Sequence, residues 1–416
     1  MATELALAAP SRYDVVAVRA QFPLLAASGH ALAFLDSAAT TQKPAAVLDA
    51  EQSFYRESYG AIARGVYRLS AEATQLYEAA RGKVARFLGA RSAGEIVFVR
   101  GTTEAINLVA ASWGRANLRA GDEILVTGLE HHSNLVPWQL AAEATGARVV
   151  AAPIDGHGDV PLEGIAARLA SGRVRLVAVA HVSNSLGTLL PVAEICRMAH
   201  AAGAIALVDG AQSAPRLPVD VVELGCDVFV FSGHKAYAPN GIGVLWARSE
   251  LLAAMPPYQG GGGMIREVTL ERTTYAEPPQ RFEAGTPAGP QAHALGVALD
   301  WIAALGRDAV HAHESRLVER AARELAAIPG VRLIGTPAAR VGLVSFVVDG
   351  AHGHDVGTVL DAAGVAVRAG HHCAQPVMAA FGVPATVRAS FGAYSTDGDV
   401  DRLLQATRRA VELLAR

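Results

Sequence analysis

The chain has few cysteines and no long apolar run, and each lack excludes a class of protein. Only three cysteines occur in 416 residues, at Cys196, Cys226 and Cys373. So small, odd and widely spaced a set excludes a disulfide framework and a zinc knuckle. Apolar runs such as 176–180 and 204–208 are much shorter than the roughly 20 residues of a membrane helix. We therefore expect a chain that does not cross a membrane.

The chain also lacks an excess of basic residues. Its 36 Lys and Arg and 39 Asp and Glu give a formal net charge of −3, which provides no basic stripe for a phosphate backbone or an acidic membrane surface. Residues 1–10 contain Glu4 and no Lys or Arg, so they lack the charged start of a signal peptide. We expect a soluble, cytoplasmic protein whose partners are neither nucleic acids nor membranes.

Short apolar runs alternate with helix-length segments through the first half of the chain. The runs predict buried strands at 96–99, 123–126, 148–152, 176–180, 205–208 and 228–231. This alternation is typical of an α/β fold with a mainly parallel sheet. Ligands of such folds lie beyond the carboxyl ends of the strands, so the residues that follow these runs are the candidates for chemistry.

A turn-rich segment at 285–290 divides the chain. We expect a large domain at 28–290 and a smaller α+β domain formed by 1–27 and 291–416. In the smaller domain the patterns predict strands and helices at 331–334, 341–348, 386–391, 310–328 and 397–414.

A lysine and a carboxylate follow two of the predicted strands. Lys235 comes directly after 228–231, where burial lowers the pKa of an amine and makes it nucleophilic. Asp209 follows 205–208 and can keep a pyridine nitrogen protonated, which makes the ring an electron sink. Gln212, one helical turn further on, can bond the phenolic oxygen of such a ring.

Phosphate ligands and a stacking group follow other strand ends. Thr103 opens a helix after 96–99, where free backbone N–H groups and a hydroxyl bind anions. Ser232 and His234 are further donors, and His131 can stack on an aromatic ring. Each feature alone is more often a cap or a solvated loop charge. Together they predict a site for pyridoxal 5′-phosphate (PLP).

The ordered motifs resemble the class V aminotransferase family of fold-type I PLP enzymes, and within it the SufS-like, group II cysteine desulfurases. The resemblance runs from about residue 22 to the C-terminus and includes LDSAA (35–39), VRGTTE (99–104), EHH (130–132), HVSN (181–184), VDGAQ (208–212), FSGHK (231–235), RFEAGTP (281–287) and RAGHHC (368–373). It implies a large domain with a seven-stranded, mainly parallel sheet.

The resemblance also implies roles for these residues. Lys235 is the Schiff-base lysine and proton shuttle, and His131 is the stacking residue and an acid in the reaction. The remaining cofactor ligands are Asp209, Gln212, Thr103, Ser232 and His234. A homodimer is implied as well, in which Thr286 of one subunit completes the phosphate site of the other.

Cys373 is the candidate nucleophile. It lies in a polar segment beside His371 and His372, a setting that favours the reactive thiolate. Cys196 falls inside a helical run and Cys226 precedes a buried strand, so we expect both to be small apolar core residues.

Arginines near the C-terminus are candidates for holding the substrate carboxylate. Arg388 lies in the strand-like run 386–391, and its planar fork can bind a carboxylate through two hydrogen bonds. Arg368 and Asn184 are expected to assist. For Arg368 a surface or interface salt bridge is the alternative.

The resemblance, together with these residues, implies a cysteine desulfurase. L-cysteine becomes L-alanine, and its sulfur passes to Cys373 as a persulfide and then to an acceptor for iron–sulfur cluster assembly in the SUF pathway. A selenocysteine lyase shares the same residues and is the alternative activity. A catalytically inactive PLP-fold scaffold is the alternative of a different class. An ordinary aminotransferase has no use for Cys373.

The sulfur acceptor is expected to be a SufU-like, zinc-bearing protein rather than a SufE-like one. In the SufU-served branch a histidine at the place of His354 moves onto the zinc of the partner. The alternative is a helix cap with solvated imidazoles. We expect no metal site in this chain itself, and we expect His311, His313 and Glu314 to face solvent.

Overall fold

The computed structural model describes residues 13–29, 31–63 and 65–414, so the segment that bears on a signal peptide lies outside the described residues. Within these ranges the strands are β1 (Ala33–Phe34), β2 (Ile96–Val99), β3 (Glu123–Thr127), β4 (Arg148–Ala152), β5 (Val174–Ala180), β6 (Ile205–Asp209), β7 (Val228–Ser232), β8 (Gly243–Ala247), β9 (Ile265–Val268), β10 (Thr273–Tyr275), β11 (Val331–Leu333), β12 (Leu343–Val348), β13 (Val365–Ala366), β14 (Arg368–Gly370) and β15 (Thr386–Ser390).

Helices separate most of these strands. They are α1 (Val15–Ala20), α2 (Pro23–Ser28), α3 (Ala45–Glu57), α4 (Arg68–Leu88), α5 (Thr102–Val109), α6 (Arg115–Asn117), α7 (Val136–Thr145), α8 (Leu162–Leu169), α9 (Val192–Ala201), α10 (Val221–Leu224), α11 (Ser249–Ala254), α12 (Gly289–Leu305), α13 (Arg307–Ala326), α14 (Gly353–Ala362), α15 (Gln375–Ala380) and α16 (Asp397–Leu414).

The large sheet has seven strands in the order β2-β8-β7-β6-β5-β3-β4. Strand β8 runs antiparallel to both of its neighbours, and the other pairs are parallel. The expected α/β fold with a mainly parallel seven-stranded sheet is confirmed, and each of the six predicted runs forms a strand. Because β2 to β7 point the same way, their carboxyl ends meet at one edge.

The large sheet is buried on both faces, which explains its continuous apolar strands. Successive residues of β3 alternate between two cores: Leu125 joins the cluster that contains α4, α9 and α12, whereas Ile124 and Val126 join the cluster beneath α5 and α7. Because side chains on both faces of the sheet pack into apolar clusters, polar residues occur chiefly at the ends of the strands.

A second sheet of four antiparallel strands, in the order β11-β12-β15-β14, forms a separate unit. Its core contains apolar residues of α13, α14 and α16, and the predicted strands and helices of this region are confirmed. The boundary at residue 290 stays a prediction. Helix α12, which begins at Gly289, packs against α3 and α4.

One sequence expectation about the smaller unit is wrong. The side chains of His313 and Glu314 do not face solvent, because the packing of α13 leaves them only 8% and 1% exposed. His313 Nε2 lies 2.8 Å from the carbonyl oxygen of Ser395. Glu314 forms a buried ion pair with Arg216, at 3.2 Å between Oε2 and Nε.

No helix in the described part of the chain combines the length and the apolar character needed to cross a membrane.

Candidate active site

A cavity with an empty volume of about 760 Å³ opens at the carboxyl edge of the large sheet. All the residues expected in the site lie on its wall except Thr286 and His354, and they are Thr103, His131, Asn184, Asp209, Gln212, Ser232, His234, Lys235, Arg368, Cys373 and Arg388. Residues from both sheets therefore meet in one place.

Lys235 ends the short 3₁₀ turn Gly233–Lys235 that directly follows β7. Burial lowers the pKa of its amine to about 8, with Asp209 opposing and Arg388 adding to the shift. In the described residues the amine has no hydrogen bond or ion pair. At pH 7 about a tenth of the molecules therefore carry the neutral, nucleophilic amine, far more than for an ordinary lysine.

Asp209 is the last residue of β6 and is 6% exposed. Its Oδ1 accepts a hydrogen bond from the backbone N–H of Ala211 at 2.9 Å. Burial raises the pKa of the carboxyl group, while Lys235 acts in the opposite direction. A cationic partner in the cavity would stabilise the ionised form.

The cleft beside the start of α5 can hold an anion. The backbone N–H of Thr102 donates to Ser232 Oγ at 2.8 Å, which ties the helix start to the end of β7. Burial, with help from Lys235, lowers the pKa of His234 to about 4, so its imidazole is neutral at pH 7. A Cβ on Gly243 would lie 2.4 Å from the Cα of Gly101, so only glycine lets β8 pass this close.

His131 and Gln212 are held in fixed orientations. His131 Nδ1 accepts from the backbone N–H of Ser133 at 3.0 Å, and burial lowers its pKa to about 3. Gln212 Nε2 donates to the carbonyl oxygen of Ala38 at 2.7 Å, and its Oε1 accepts from Arg216 at 3.0 Å. The imidazole is neutral, and the amide cannot flip without losing both bonds.

The carboxylate of Asp36 joins the two arginines of the cavity. Arg388 is 2% exposed, donates to the carbonyl oxygen of Asn184 at 2.7 Å and contacts Asp36 Oδ1 at 3.1 Å. Arg368 is half-exposed and lies 3.4 Å from Asp36 Oδ2. The salt bridge proposed as the alternative for Arg368 thus exists, and the same side chain also lines the cavity.

Arg388 retains its charge and has donors left for a ligand. Burial lowers its pKa to about 10, so the guanidinium is protonated at neutral pH. Its Nε is buried and has no hydrogen-bond partner among the described residues. An anionic ligand in the cavity would satisfy this donor.

Cys373 lies in a tight loop between β14 and α15. His372 and Cys373 both have φ of 53°, a left-handed conformation that is uncommon outside glycine. Cys373 is partly exposed, whereas Cys196 and Cys226 are buried as expected. Burial raises the pKa of Cys196 to about 12 and that of Cys226 well above its ordinary value. The accessible thiol is that of Cys373.

Sequence reasoning missed three residues that support the site. Asp36 neutralises the arginines, Arg216 orients Gln212, and Lys43 donates to the carbonyl oxygen of His234 at 3.1 Å. Asp36 belongs to the LDSAA motif, and that motif is the sequence signal that could have identified it. Nothing in the local pattern around Lys43 points to His234, which lies 191 positions away in the chain. Arg216 lies only four positions after Gln212, and its spacing alone does not show that it contacts that side chain.

The large sheet and the lysine-bearing cavity at its carboxyl edge are those of fold-type I PLP enzymes. Residues 33–403 match the aminotransferase class-V family, and the chain belongs to that family.

Relatives extend the likeness to nearly the full length. A cysteine desulfurase of Dickeya dadantii (strain 3937) is 52% identical over 405 residues, which cover 97% of this chain and 98% of that protein. The structure of the cysteine desulfurase CsdA (S-sulfonic acid) from Escherichia coli is 42% identical, with a TM-score of 0.90 and coverage of 97% and 100%.

A more distant structure carries a ligand. It is a C-DES mutant with glycine covalently linked to the PLP cofactor, 26% identical to this chain, with a TM-score of 0.81 and coverage of 95% and 99%.

Proposed function

We infer that this chain is a PLP-dependent cysteine desulfurase, which removes sulfur from L-cysteine and leaves L-alanine. The observation that carries the inference is that Cys373, Lys235 and Arg388 line one cavity. A reactive thiol, an amine of lowered pKa and a guanidinium are the groups that sulfur transfer from an amino acid requires. Nearly full-length likeness to cysteine desulfurases supports the same activity.

The donor set of the cavity fits PLP. Lys235, whose amine is otherwise unpartnered, would be the covalent anchor. Asp209 would hold the pyridine nitrogen, and Gln212 and His131 would contact the ring. Thr103, Ser232 and His234 would bind the phosphate. When bound, PLP supplies an electron-withdrawing ring that stabilises negative charge on the α-carbon of the substrate.

Arg388 would bind the substrate carboxylate through its guanidinium, whose Nε is a buried donor without a partner among the described residues. Arg368 would add positive charge at the mouth of the cavity. Asn184 would fix the position of the loop that carries Cys373. Lys235 would take the α-proton in its neutral form. A neutral His131 can donate its remaining N–H to the substrate.

The sulfur is transferred to Cys373. Its thiolate Sγ bonds to the substrate sulfur while the Cβ–S bond breaks. The electron pair of that bond stays with the carbon, which takes up one proton. L-cysteine and the Cys373 thiol thus become L-alanine and a persulfide, and no external oxidant is consumed.

Product analysis tests the activity and its nucleophile. PLP-loaded protein is incubated with L-cysteine and a reductant, and alanine and sulfide are quantified. We expect equimolar products from wild type and from Cys196→Ala, the buried-thiol control, and at least a 100-fold loss for Cys373→Ser and Lys235→Ala. Wild-type protein that binds PLP and forms no alanine would contradict the desulfurase and favour the inactive scaffold.

The chain is proposed to act as a homodimer in which Thr286 completes the phosphate site of the other subunit. In a single chain Thr286 does not line the cavity that contains Lys235; it lines a neighbouring one with Arg100 and Tyr258. These last two residues also border the cleft beside Thr103.

Mixed dimers test this arrangement. Thr286→Val and Lys235→Ala proteins are each expected to be nearly inactive. In a mixed dimer one site keeps Lys235 and receives Thr286 from the other subunit. Unfolding and refolding the two together should restore up to one active site per dimer, as measured by alanine formation. No recovery, or a monomer in sedimentation experiments, would contradict the shared site.

The acceptor is proposed to be a SufU-like zinc protein, and the destination of the sulfur iron–sulfur cluster assembly through the SUF pathway. His354 is exposed at the start of α14, where its ring stacks on that of His352 with centroids 5.2 Å apart. Helix α14 packs against β14, the strand that leads to Cys373. Zinc-ligand exchange needs an accessible imidazole, and His354 provides one on a helix that packs against this strand. We also propose that the protein acts in the cytoplasm. Its three cysteines are free, as is usual in a reducing compartment.

Partner-dependent turnover tests this choice. Sulfide release is measured alone, with a SufU-like protein and with a SufE-like protein. We expect the SufU-like protein to stimulate wild type about tenfold or more and to stimulate His354→Ala little. His352→Asn, which keeps a helix-capping acceptor, is the matched control and should respond normally. Stimulation by the SufE-like protein alone would contradict the SufU assignment.

A further inference from the structure

The Cys373 loop is tied to the large unit at three points. Asn184 Nδ2 donates to the carbonyl oxygen of His372 at 2.6 Å. The backbone N–H of His132 donates to the carbonyl oxygen of Cys373 at 2.7 Å. The backbone N–H of Gln375 donates to His132 Nε2 at 3.3 Å. His132 therefore holds the chain directly after the thiol, and Asn184 holds it directly before.

The bond to Gln375 completes the start of α15. The first N–H groups of a helix have no partner within the helix, and Ala374, at the N-cap position, has no side chain that can accept from them. His132, more than 240 positions earlier in the chain, supplies the missing acceptor. Its imidazole also lies beside that of His371, with ring centroids 5.7 Å apart.

These ties oppose a strained backbone. His372 and Cys373 both adopt the left-handed conformation, which costs free energy for residues other than glycine and persists only where surrounding contacts hold it. Removing one contact should let the loop relax. The thiol would then spend less time directed into the cavity.

We propose that His132 is a positioning residue: its imidazole caps α15 from the large unit and thereby holds the Cys373 thiol in place for sulfur transfer. His132 does not line the cavity, so it acts through Cys373 and not on the substrate. The proposal deepens the desulfurase assignment and rests on it for the role of Cys373.

Three substitutions of His132 separate the effect of its hydrogen-bond acceptor from the effect of its aromatic ring. His132→Phe keeps an aromatic ring beside His371 and removes the acceptor. His132→Gln places an amide oxygen at about the reach of Nε2, whereas His132→Asn is too short to reach Gln375. His157→Phe, at an exposed histidine, is the matched control.

The measurements use the full PLP-loaded chain. Hydrogen exchange of the Gln375 amide and the rate of Cys373 alkylation by iodoacetamide report on the loop directly. We expect both to rise about fivefold to tenfold in His132→Phe and His132→Asn, the size of effect that a lost cap gives. His132→Gln and His157→Phe should stay within twofold of wild type.

Kinetics provide a second readout. The kcat for alanine formation should fall about tenfold in His132→Phe and recover in His132→Gln, while the KM for L-cysteine stays unchanged because Arg388 is untouched. Wild-type exchange and alkylation in both His132→Phe and His132→Asn would overturn the proposal. If His132→Phe fails to fold, the Asn and Gln pair decides. Exchange and alkylation need no turnover, so failure of the desulfurase activity would be seen separately.

Discussion

At the scale of single residues, charge around the cavity is balanced by one carboxylate from an early segment of the chain. Asp36 contacts both Arg388 and Arg368, so two guanidinium groups share one negative partner. The arrangement leaves net positive charge for a substrate carboxylate while fixing the plane of Arg388. An uncharged residue of the same size in place of Asp36 would keep the shape of the cavity but would no longer orient the guanidinium of Arg388.

Asp36→Asn is expected to raise the KM for L-cysteine about tenfold, equivalent to about 1.4 kcal/mol of binding free energy, with a smaller change in kcat. Steady-state alanine formation over a range of L-cysteine concentrations measures both constants. Asp349→Asn, at an exposed aspartate, is the control and should match wild type. An unchanged KM in Asp36→Asn would show that Asp36 does not orient the arginines.

At the scale of elements, the segment that carries Thr286 is anchored by a buried ion pair. Glu283 accepts from Arg81 through both oxygens, at 2.7 and 2.9 Å, and also from the backbone N–H of Phe98 and the hydroxyl of Tyr77. Both carboxylate oxygens thus accept two hydrogen bonds each. One side chain joins α4, the edge strand β2 and the loop before α12.

Glu283→Gln should destabilise the protein by about 2 to 3 kcal/mol, because an amide leaves the buried Arg81 guanidinium with only the half-exposed Glu78 as a charge partner. Thermal denaturation followed by circular dichroism measures the loss. The control is Glu277→Gln, whose carboxylate is 82% exposed beside Arg281 and should contribute at most about 1 kcal/mol. Equal melting temperatures for the two variants would contradict the anchoring role.

At the scale of the whole molecule, Arg216 and Glu314 bring opposite charges together where α13 meets the large unit. Arg216 donates to Gln212 and to the carbonyl oxygen of Phe391, while its Nε, which faces Glu314, has no hydrogen bond among the described residues. Neither oxygen of Glu314 has a hydrogen bond within the part of the chain that the structure describes. Burial raises the pKa of Glu314 to about 7, and Arg216 offsets only part of that shift. The ionised form of Glu314 is therefore costly in the fold.

The sign of the pH dependence of stability follows from proton binding, because the state that binds more protons is favoured as the pH falls. The pKa of Glu314 is higher in the folded state than the value near 4.5 of an exposed glutamate, so the folded state binds more protons between these pH values. The contribution of Glu314 to stability is present at low pH and is lost as the pH rises from about 4.5 to 7. Glu314→Gln removes this dependence.

We expect Glu314→Gln to be more stable than wild type at pH 8, by an amount on the order of 2 kcal/mol, and equal to it near pH 4.5. Urea denaturation midpoints at the two pH values give the comparison. A variant less stable than wild type at pH 8 would show that the ion pair outweighs the burial of the carboxylate.

Most of the fold and much of the site could be predicted from sequence, because the signals are local. Apolar runs predict each strand that is buried on both faces, and in a parallel sheet the residues after those runs must meet at one edge. Lys235, Asp209, Thr103 and His131 are found at that edge for this reason. Cys373 and Arg388 were identified from their own short segments.

The tertiary structure alone decided which distant residues touch. Strand β8 was not among the predicted runs, and it inserts antiparallel between β2 and β7. Glu314 was expected in solvent and is buried against Arg216, and Asp36 reaches Arg388 across 352 positions. A periodic pattern records which face of an element is buried but not the partner that covers it. The sequence by itself thus determined the elements and the chemistry at their ends, and packing between the two units decided the charge pairs and the tether on the Cys373 loop.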